Sequence, residues 1–336
     1  MSMASKKWFR QGMCFRQLGY LLCIWCLAGF AQATEASAEM QPVDQTQEIP
    51  QLSWYLDSFL ELADDVEEAN ERGHKLVLYF HQEGCPYCYN LVTRVFPHPD
   101  VNALMAQNYE LIELDIWGSR VVTLQDGTEL AEKQLAAMLK VQYTPTLIFL
   151  DETGTPELRV DGYRPPEAFL DLVQGLIAGK SVLPDPEGVS EQLLDLSQPA
   201  NLPVAVQLIA GDCAACVDFN KEVLERADTQ NLLAEYQRVD INLSDNPRIK
   251  LPGDRTVTAG DWARELGISY LPAWLFYDAA GKEQFRVDAY VRAFHFNSAL
   301  QYVASGAYKQ QPEFQRYIHD QADQLRNSGQ SVNILE

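Results

Sequence analysis

The spacing of apolar residues predicts short buried strands separated by amphipathic helices, in a series that begins near residue 54. Residues 54–70 carry apolar side chains at near-helical spacing, and Gly73 follows as a helix-ending glycine. Residues 76–80 form a continuous apolar run, which is typical of a buried strand. The other predicted elements are strands over 109–116, 147–150 and 158–163, helices ending near 95 and spanning 129–139 and 169–178, and a hairpin over 118–128 turning at Asp126-Gly127.

The same series starts again after the segment 183–188, whose prolines and glycine indicate a linker. Strands are predicted over 203–209 and 236–241, with a helix over 216–224 between them. A further amphipathic helix is predicted over 314–327.

Matching residues in the two series keep a nearly constant offset. The offset is 125 residues from Asp115-Ile116 to Asp240-Ile241, 127 from Gly154 to Gly281, and 127 from Tyr163 to Tyr290. A shared register of this kind predicts an internal duplication.

The chain is therefore predicted to be an α/β protein with two tandem domains, each a central mixed sheet flanked by helices, plus a C-terminal helix. The predicted segments are a signal peptide (1–33), a flexible leader (34–50), a first domain (51–182), a linker (183–200), a second domain (201–310) and a C-terminal helical extension (311–336). With 336 residues, 47% of them hydrophobic, the chain is long enough to bury two cores.

The N-terminus has the pattern of an export signal. Basic residues precede an apolar run over 18–30 that is too short to span a bilayer comfortably. Ala31-Gln32-Ala33 follows in the position of a signal-peptidase site. We therefore expect a periplasmic protein with a cleaved signal; the alternative is an uncleaved membrane anchor. The net charge of −21 argues against nucleic acid and anionic membrane surfaces as partners.

The candidate chemistry lies in two vicinal cysteine pairs. Cys85-Pro86-Tyr87-Cys88 and Cys213-Ala214-Ala215-Cys216 lie 128 residues apart, each between a predicted strand and a predicted helix. The other three of the seven cysteines fall inside the predicted signal peptide. Every cysteine of the mature chain then belongs to a CxxC motif, which favours redox chemistry or metal binding over bracing, since a two-residue loop gains little from closure.

A CxxC motif at a helix N-terminus favours disulfide exchange. The unpaired N–H groups and the helix dipole stabilise the thiolate of the first cysteine. Cys85 is therefore the predicted nucleophile and Cys88 the resolving cysteine, with Cys213 and Cys216 as a second redox pair. Because of its position at the helix start, we expect Cys85 to be exposed and Cys88 to be shielded. Asp212 directly precedes Cys213 and disfavours its thiolate, so we also expect Cys85 to react faster than Cys213.

Two alternatives to a redox role apply to these cysteine pairs. Each could be a structural disulfide, or the four thiolates could converge on zinc or copper. The first half and the second half each look like a separate domain, however, which argues against convergence.

Each motif is followed, nearly sixty residues later, by a proline that enters a strand. This layout resembles the thioredoxin fold, which implies a cis proline beside the dithiol. The candidate substrate-binding residues are then Thr144 and Pro145 in the first half, with Leu271 and Pro272 in the second, because the residue before the proline keeps a free edge for an extended substrate. An ordinary trans proline is the alternative.

Thioredoxin proper carries a buried acid six residues before its first cysteine. That position is Tyr79 in the first half and Gln207 in the second, so the usual proton acceptor is absent here. His81 could lower the pKa of Cys85, or it could be a surface-loop histidine.

Longer stretches resemble the SoxW-like thioredoxins, which are exported proteins associated with sulfur-oxidation gene sets. The resemblance is carried by residues 114–118, the hairpin that follows them with its Asp-Gly-Thr turn, and residues 142–146, 294–296, 302–308 and 314–317. It implies a periplasmic thiol–disulfide oxidoreductase that acts on protein substrates, needs no dissociable cofactor and is recharged by a membrane electron donor of the thiol–disulfide transporter type. The alternatives are a disulfide isomerase and a tandem binding scaffold with structural disulfides.

Overall fold

A computed structural model describes residues 50–180, 183–184, 186, 188–198 and 200–329. The predicted signal peptide and nearly all of the predicted leader lie outside these residues. The elements of the first half are α1 (Leu62–Glu71), β1 (Lys75–His81), α2 (Pro86–Asn90), α3 (Pro99–Asn108), β2 (Tyr109–Asp115), β3 (Val121–Thr123), β4 (Glu129–Ala131), α4 (Glu132–Met138), β5 (Thr146–Leu150), β6 (Pro156–Asp161) and α5 (Pro166–Ile177).

The second half repeats this order from β1 onward, with a strand where the first half has α1 and with a helix added at the end. Its elements are β7 (Leu193–Asp195), β8 (Val204–Ile209), α6 (Ala214–Phe219), α7 (Ala227–Leu233), β9 (Gln237–Asn242), β10 (Arg248–Leu251), β11 (Arg255–Thr258), α8 (Ala259–Glu265), β12 (Ala273–Tyr277), β13 (Glu283–Val287), α9 (Ala293–Ala304) and α10 (Phe314–Asn327). Within these described residues, no helix is both long and apolar enough to cross a bilayer.

Each half is built on a four-stranded mixed sheet. The strand order is β2-β1-β5-β6 in the first half and β9-β8-β12-β13 in the second. In the first sheet β1 pairs with β2 in parallel and with β5 in antiparallel orientation. In the second sheet β8 pairs in the same way with β9 and β12. Every residue of β5 is buried, as helices on both faces of a sheet require. The predicted α/β class with two tandem domains is confirmed.

The prediction of a helix over 54–70 is wrong for its first half. Helix α1 begins only at Leu62, and Leu60 before it has a positive φ of 67° that turns the chain. The Leu111 N–H donates to the Trp54 carbonyl, and the Leu56 N–H donates to the Leu111 carbonyl. The segment therefore lies along β2 as an extended edge, and its apolar residues pack there without a helix.

Two further differences concern the hairpin and the linker. The hairpin turns at Asp126-Gly127 as predicted, but its strands are β3 and β4, so the following helix begins at Glu132 and not at Glu129. Strand β7 lies within the range predicted as linker and pairs in parallel with β10.

The two halves meet through equivalent segments. Tyr163 and Tyr290, which occupy matching positions of the repeat, form an antiparallel bridge. Gly162 has a φ of +71°, and a Cβ at this position would lie 2.8 Å from the Cβ of Ala289. Because the same segment of each half contacts its counterpart, the interface resembles that of a two-fold dimer folded into one chain.

Charged side chains are buried at this interface. Arg164 is fully buried and donates to the carbonyls of Asp161, at 2.8 Å, and Asp288, at 3.0 Å. Its guanidinium also lies 4.0 Å from the ring centroid of Tyr270. The Asp161 carboxylate accepts from Arg159, and the Arg159 guanidinium holds its pKa below the usual range despite burial.

The pKa of Asp288 is shifted in the opposite direction from that of Asp161. Burial raises the pKa of Asp288 to about 6, and the like charge of Asp161 adds to the rise. A carboxyl with a raised folded-state pKa binds its proton more tightly in the folded protein than in the unfolded chain. Its contribution to stability therefore increases as the pH falls from 6 towards 3.8 and is lost as the pH rises through 6.

We expect Asp288→Asn to remove this pH dependence. Relative to the variant, the wild-type free energy of unfolding should rise on the order of 1–2 kcal/mol between pH 7 and pH 4.5. Urea unfolding at several pH values measures this difference. The exposed Asp254 provides the control, because Asp254→Asn should follow the wild-type curve. Parallel curves for wild type and Asp288→Asn would contradict the assignment.

Candidate functional site

The first dithiol lies at the start of α2. Cys85 and Cys88 form a disulfide with a Cα–Cα distance of 5.3 Å. Cys85 is the N-cap residue, and its Sγ accepts the Cys88 N–H at 3.0 Å. Pro86 occupies the first helical turn, where its missing N–H costs nothing. A π-helical turn over Leu91–Val95 continues the helix. The same N–H that contacts Cys85 Sγ in the disulfide stabilises its thiolate after reduction.

The second dithiol repeats this geometry. Cys213 and Cys216 form a disulfide with a Cα–Cα distance of 5.2 Å, and Cys213 Sγ accepts the Cys216 N–H at 3.0 Å. Helix α6 follows, and it also runs into a π-helical turn, over Asn220–Leu224. The match extends the duplication from the sheets to the local backbone of the redox motif.

Both strand-entry prolines are cis, as predicted. The cis bonds are Thr144–Pro145 and Leu271–Pro272. In the first half this loop touches the dithiol, because Cys85 Sγ lies 3.5 Å from the Thr144 carbonyl oxygen and accepts from Thr144 Oγ1 at 3.4 Å. Leu271 has no hydroxyl, so the second half lacks the side-chain donor.

The acid of thioredoxin proper is absent from both halves, as the sequence indicated. Tyr79 is buried in the first core, and burial raises its pKa well above the usual value. Gln207 instead accepts a hydrogen bond from Arg238 at 2.8 Å. His81 is the last residue of β1, and its ring lies 5.3 Å from that of Tyr79.

The expectation that Cys85 is exposed is wrong. Cys85 is 8% exposed and Cys88 is 6% exposed, so both are buried. Cys213 and Cys216 are each partly exposed. The expectation that Cys85 reacts faster than Cys213 rested on the charge of Asp212. Asp212 is exposed, so water screens that charge.

The sequence did not predict that residues of the second half contact the first CxxC loop. Tyr87 packs its ring against His295 of α9, with the centroids 5.3 Å apart. His295 is itself buried, which lowers its pKa to about 4 and keeps it neutral near pH 7. The available signal was that residues 294–296 and 314–317 carry part of the resemblance to the SoxW-like thioredoxins. Among the described residues, no group of three or more His, Cys, Asp or Glu side chains is placed to hold a metal ion.

The comparisons with known proteins agree with this geometry. The family described as "Thioredoxin-like domain" matches residues 62–176 and again residues 191–304, which together are more than half of the chain. The chain belongs to the thioredoxin-like family. Its two thioredoxin-like domains each carry a CxxC disulfide at a helix N-terminus, and the protein is therefore a thiol–disulfide oxidoreductase.

Solved structures resemble single thioredoxin-like domains of the chain. A thioredoxin-fold protein from Helicobacter pylori is 13% identical with a TM-score of 0.34, and the alignment covers 40% of this chain and 91% of that one. A thioredoxin from Thermus thermophilus is 24% identical with a TM-score of 0.30, covering 40% and 92%. A search of the curated proteins finds no match.

The Thr144 hydroxyl gives a testable difference between the two thioredoxin-like domains. We expect Thr144→Val to raise the pKa of the Cys85 thiol by about one unit, because a charge-assisted hydrogen bond to the thiolate is lost. The pH dependence of alkylation, followed by peptide mapping, measures the change. Leu271→Val is the matched control and should leave the pKa of Cys213 unchanged. An unchanged Cys85 titration in Thr144→Val would show that the hydroxyl does not stabilise the thiolate.

Proposed function

We propose that this protein is an exported thiol–disulfide oxidoreductase of the periplasm that exchanges disulfides with its substrates through two redox-active dithiols. The observation that carries the proposal is the repeated geometry of the two motifs. In each, the sulfur of the N-cap cysteine accepts the N–H of the second cysteine. A thiolate in that position is stabilised and nucleophilic, and the neighbouring cysteine is placed to resolve the mixed disulfide.

Each cysteine and each cis-proline loop has a proposed role that is consistent with this geometry. Cys85 and Cys213 attack the substrate disulfide, and Cys88 and Cys216 resolve the intermediate. Thr144 with Pro145, and Leu271 with Pro272, shape the substrate-binding loops on which an extended segment pairs with the backbone.

The periplasmic location rests on the N-terminal sequence. The basic start, the apolar run over 18–30 and Ala31-Gln32-Ala33 support export and cleavage after residue 33. N-terminal sequencing of the protein recovered from a periplasmic extract should begin at Thr34. A protein that retains the first 33 residues in the membrane fraction would favour the anchor alternative.

The proposed electron donor and substrates rest on the resemblance to SoxW-like thioredoxins. A membrane thiol–disulfide transporter would recharge the dithiols, and the substrates would include proteins of sulfur oxidation. The residues at 142–146, which carry part of that resemblance, form the cis-proline loop beside Cys85 and so belong to the reactive site.

Insulin reduction tests the proposed activity. With dithiothreitol as reductant, the wild-type protein should accelerate the precipitation of the insulin B chain by roughly tenfold or more over dithiothreitol alone. A variant with serine at positions 85, 88, 213 and 216 should remain at background. A wild-type protein at background would favour the binding scaffold, and recovery of a scrambled multi-disulfide protein would favour the isomerase.

A further inference from the structure

The two reactive sites differ in how far the rest of the chain covers them. Cys85, Tyr87, Cys88 and Thr144 each expose less than a tenth of their surface. These residues include the nucleophile, one residue between the cysteines and the residue before the cis proline. The part of the first site that an extended substrate would contact is therefore buried.

The first part of the cover comes from the segment around α9. The His295 ring packs edge-on against Tyr87, and Tyr290 packs against the core that contains the first dithiol. Both residues belong to the C-terminal half. The CxxC loop of the first half is thus in contact with the second half.

The second part of the cover is helix α10. The Gln82 side chain, which precedes the first motif by three residues, donates to Gln315 Oε1 at 3.0 Å. Gln315 Nε2 in turn donates to the Gln142 carbonyl at 3.0 Å, just before the cis-proline loop. The Phe314 ring packs against Tyr143 with centroids 5.6 Å apart. Helix α10 therefore bridges the two loops that frame Cys85.

Two arginines, one buried and one exposed, also hold the cover. Arg164 donates across the interface to the Asp288 carbonyl and stacks on Tyr270. The exposed Arg316 of α10 lies 4.7 Å from the ring centroid of Trp117. Since breaking a buried charged contact is costly, the Arg164 contacts stabilise the covered arrangement.

The second site is more open. Cys213, Cys216 and Leu271 are partly exposed, and Ala214 is exposed. Val217, the residue after the second motif, is 69% exposed. An extended segment of another protein can reach this dithiol and its cis-proline loop without displacing part of the chain.

We propose that the N-terminal dithiol exchanges with the disulfides of small thiols, of the size of glutathione, and that protein disulfides react at the C-terminal dithiol. This inference rests on the proposed function. A small disulfide needs access only to the Cys85 sulfur, whereas a protein disulfide also brings a chain that must pair beside Thr144. The two halves then differ in substrate class, although they share one catalytic geometry.

The exchange at the first site is a two-electron reaction. The Cys85 thiolate attacks one sulfur of the small disulfide, forms a mixed disulfide and releases one thiolate. The Cys88 thiolate then attacks Cys85, closes the protein disulfide and releases the second thiolate. The protons lost by Cys85 and Cys88 end on the two released thiols, and an added dithiol such as dithiothreitol restores the reduced protein.

Two single-dithiol variants test the inference. One carries Cys213→Ser and Cys216→Ser, and the other carries Cys85→Ser and Cys88→Ser. Both reduced variants should be oxidised by glutathione disulfide at similar rates. Insulin should oxidise the variant that keeps the N-terminal dithiol about a hundredfold more slowly than the other, because its disulfide cannot be positioned at the covered site.

A measurement on the wild-type protein keeps the test independent of folding in these variants. Reduced wild-type protein is treated with iodoacetamide or with a maleimide carried on a small folded protein, and the labelled cysteines are mapped. Iodoacetamide should label Cys85 and Cys213, and the bulky maleimide should label Cys213 alone.

The outcomes separate this inference from the proposed function. Equal insulin rates for the two variants, or bulky labelling of Cys85 as fast as Cys213, would overturn the inference and leave the oxidoreductase intact. An N-terminal dithiol that reacts with neither disulfide would also overturn the inference. Failure of both variants with both disulfides would overturn the proposed function itself.

Discussion

Replacing Cys216 with serine is expected to turn the C-terminal dithiol into a covalent trap for protein disulfides. Cys213 still attacks, but no neighbouring thiol remains to resolve the mixed disulfide. Reduced Cys216→Ser protein mixed with insulin should therefore form an adduct on a non-reducing gel, at a yield roughly tenfold or more above that of wild type. The open position of Cys213 makes this the site where a protein adduct accumulates.

The matched control is Cys88→Ser, which creates the same chemical trap at the covered site. It should form little adduct with insulin, although glutathione disulfide should still modify Cys85. Adding Cys213→Ser to the Cys216→Ser variant should abolish the insulin adduct. Equal insulin adducts from the Cys88→Ser and Cys216→Ser variants would contradict the difference in access.

The second large effect is expected at the interface between the halves. Arg164→Met should lower the free energy of unfolding by about 3 kcal/mol. The change removes a buried cation that donates to three backbone carbonyls, one of them across the interface, and it leaves Asp288 without that nearby positive charge. Urea denaturation followed by circular dichroism measures the loss. The same change should expose the first dithiol, so the bulky maleimide should label Cys85 faster in folded Arg164→Met than in wild type.

Arg226→Met provides the control for this substitution. Arg226 pairs with Asp228 at 3.1 Å on the surface, where both side chains are about half exposed. An exposed pair of this kind is worth less than about 1 kcal/mol. A loss in Arg164→Met no larger than in Arg226→Met would show that the interface does not depend on Arg164.

Local patterns were sufficient to predict the repeated part of the fold. Continuous apolar runs predicted β1 and β5. The nearly constant offset between matching residues, such as Tyr163 and Tyr290, predicted the duplication. The cis prolines were predicted because a proline can adopt the cis form at small cost and because the layout resembled a known fold. These features depend on residues close together in the sequence or on the repeat itself.

The errors come from contacts that the local pattern does not contain. Trp54 has helical spacing with later apolar residues, but its backbone pairs with Leu111, which is 57 positions away. The cover over the first CxxC loop comes from His295, which contacts Tyr87, and from Gln315, which accepts from Gln82, both more than 200 residues further along the chain. Only the packing of the two halves brings such residues together, so the motif alone predicted an exposed nucleophile.

A redox titration of the full chain tests the central claim most directly, namely that both dithiols are reversible redox centres. The protein is equilibrated in dithiothreitol or glutathione redox buffers, quenched with an alkylating reagent and mapped by mass spectrometry. We expect Cys85–Cys88 and Cys213–Cys216 each to titrate in one reversible two-electron step, at potentials between roughly −270 and −120 mV. A pair that stays oxidised across this whole range, or that reduces only when the protein unfolds, would identify a structural disulfide and contradict the account.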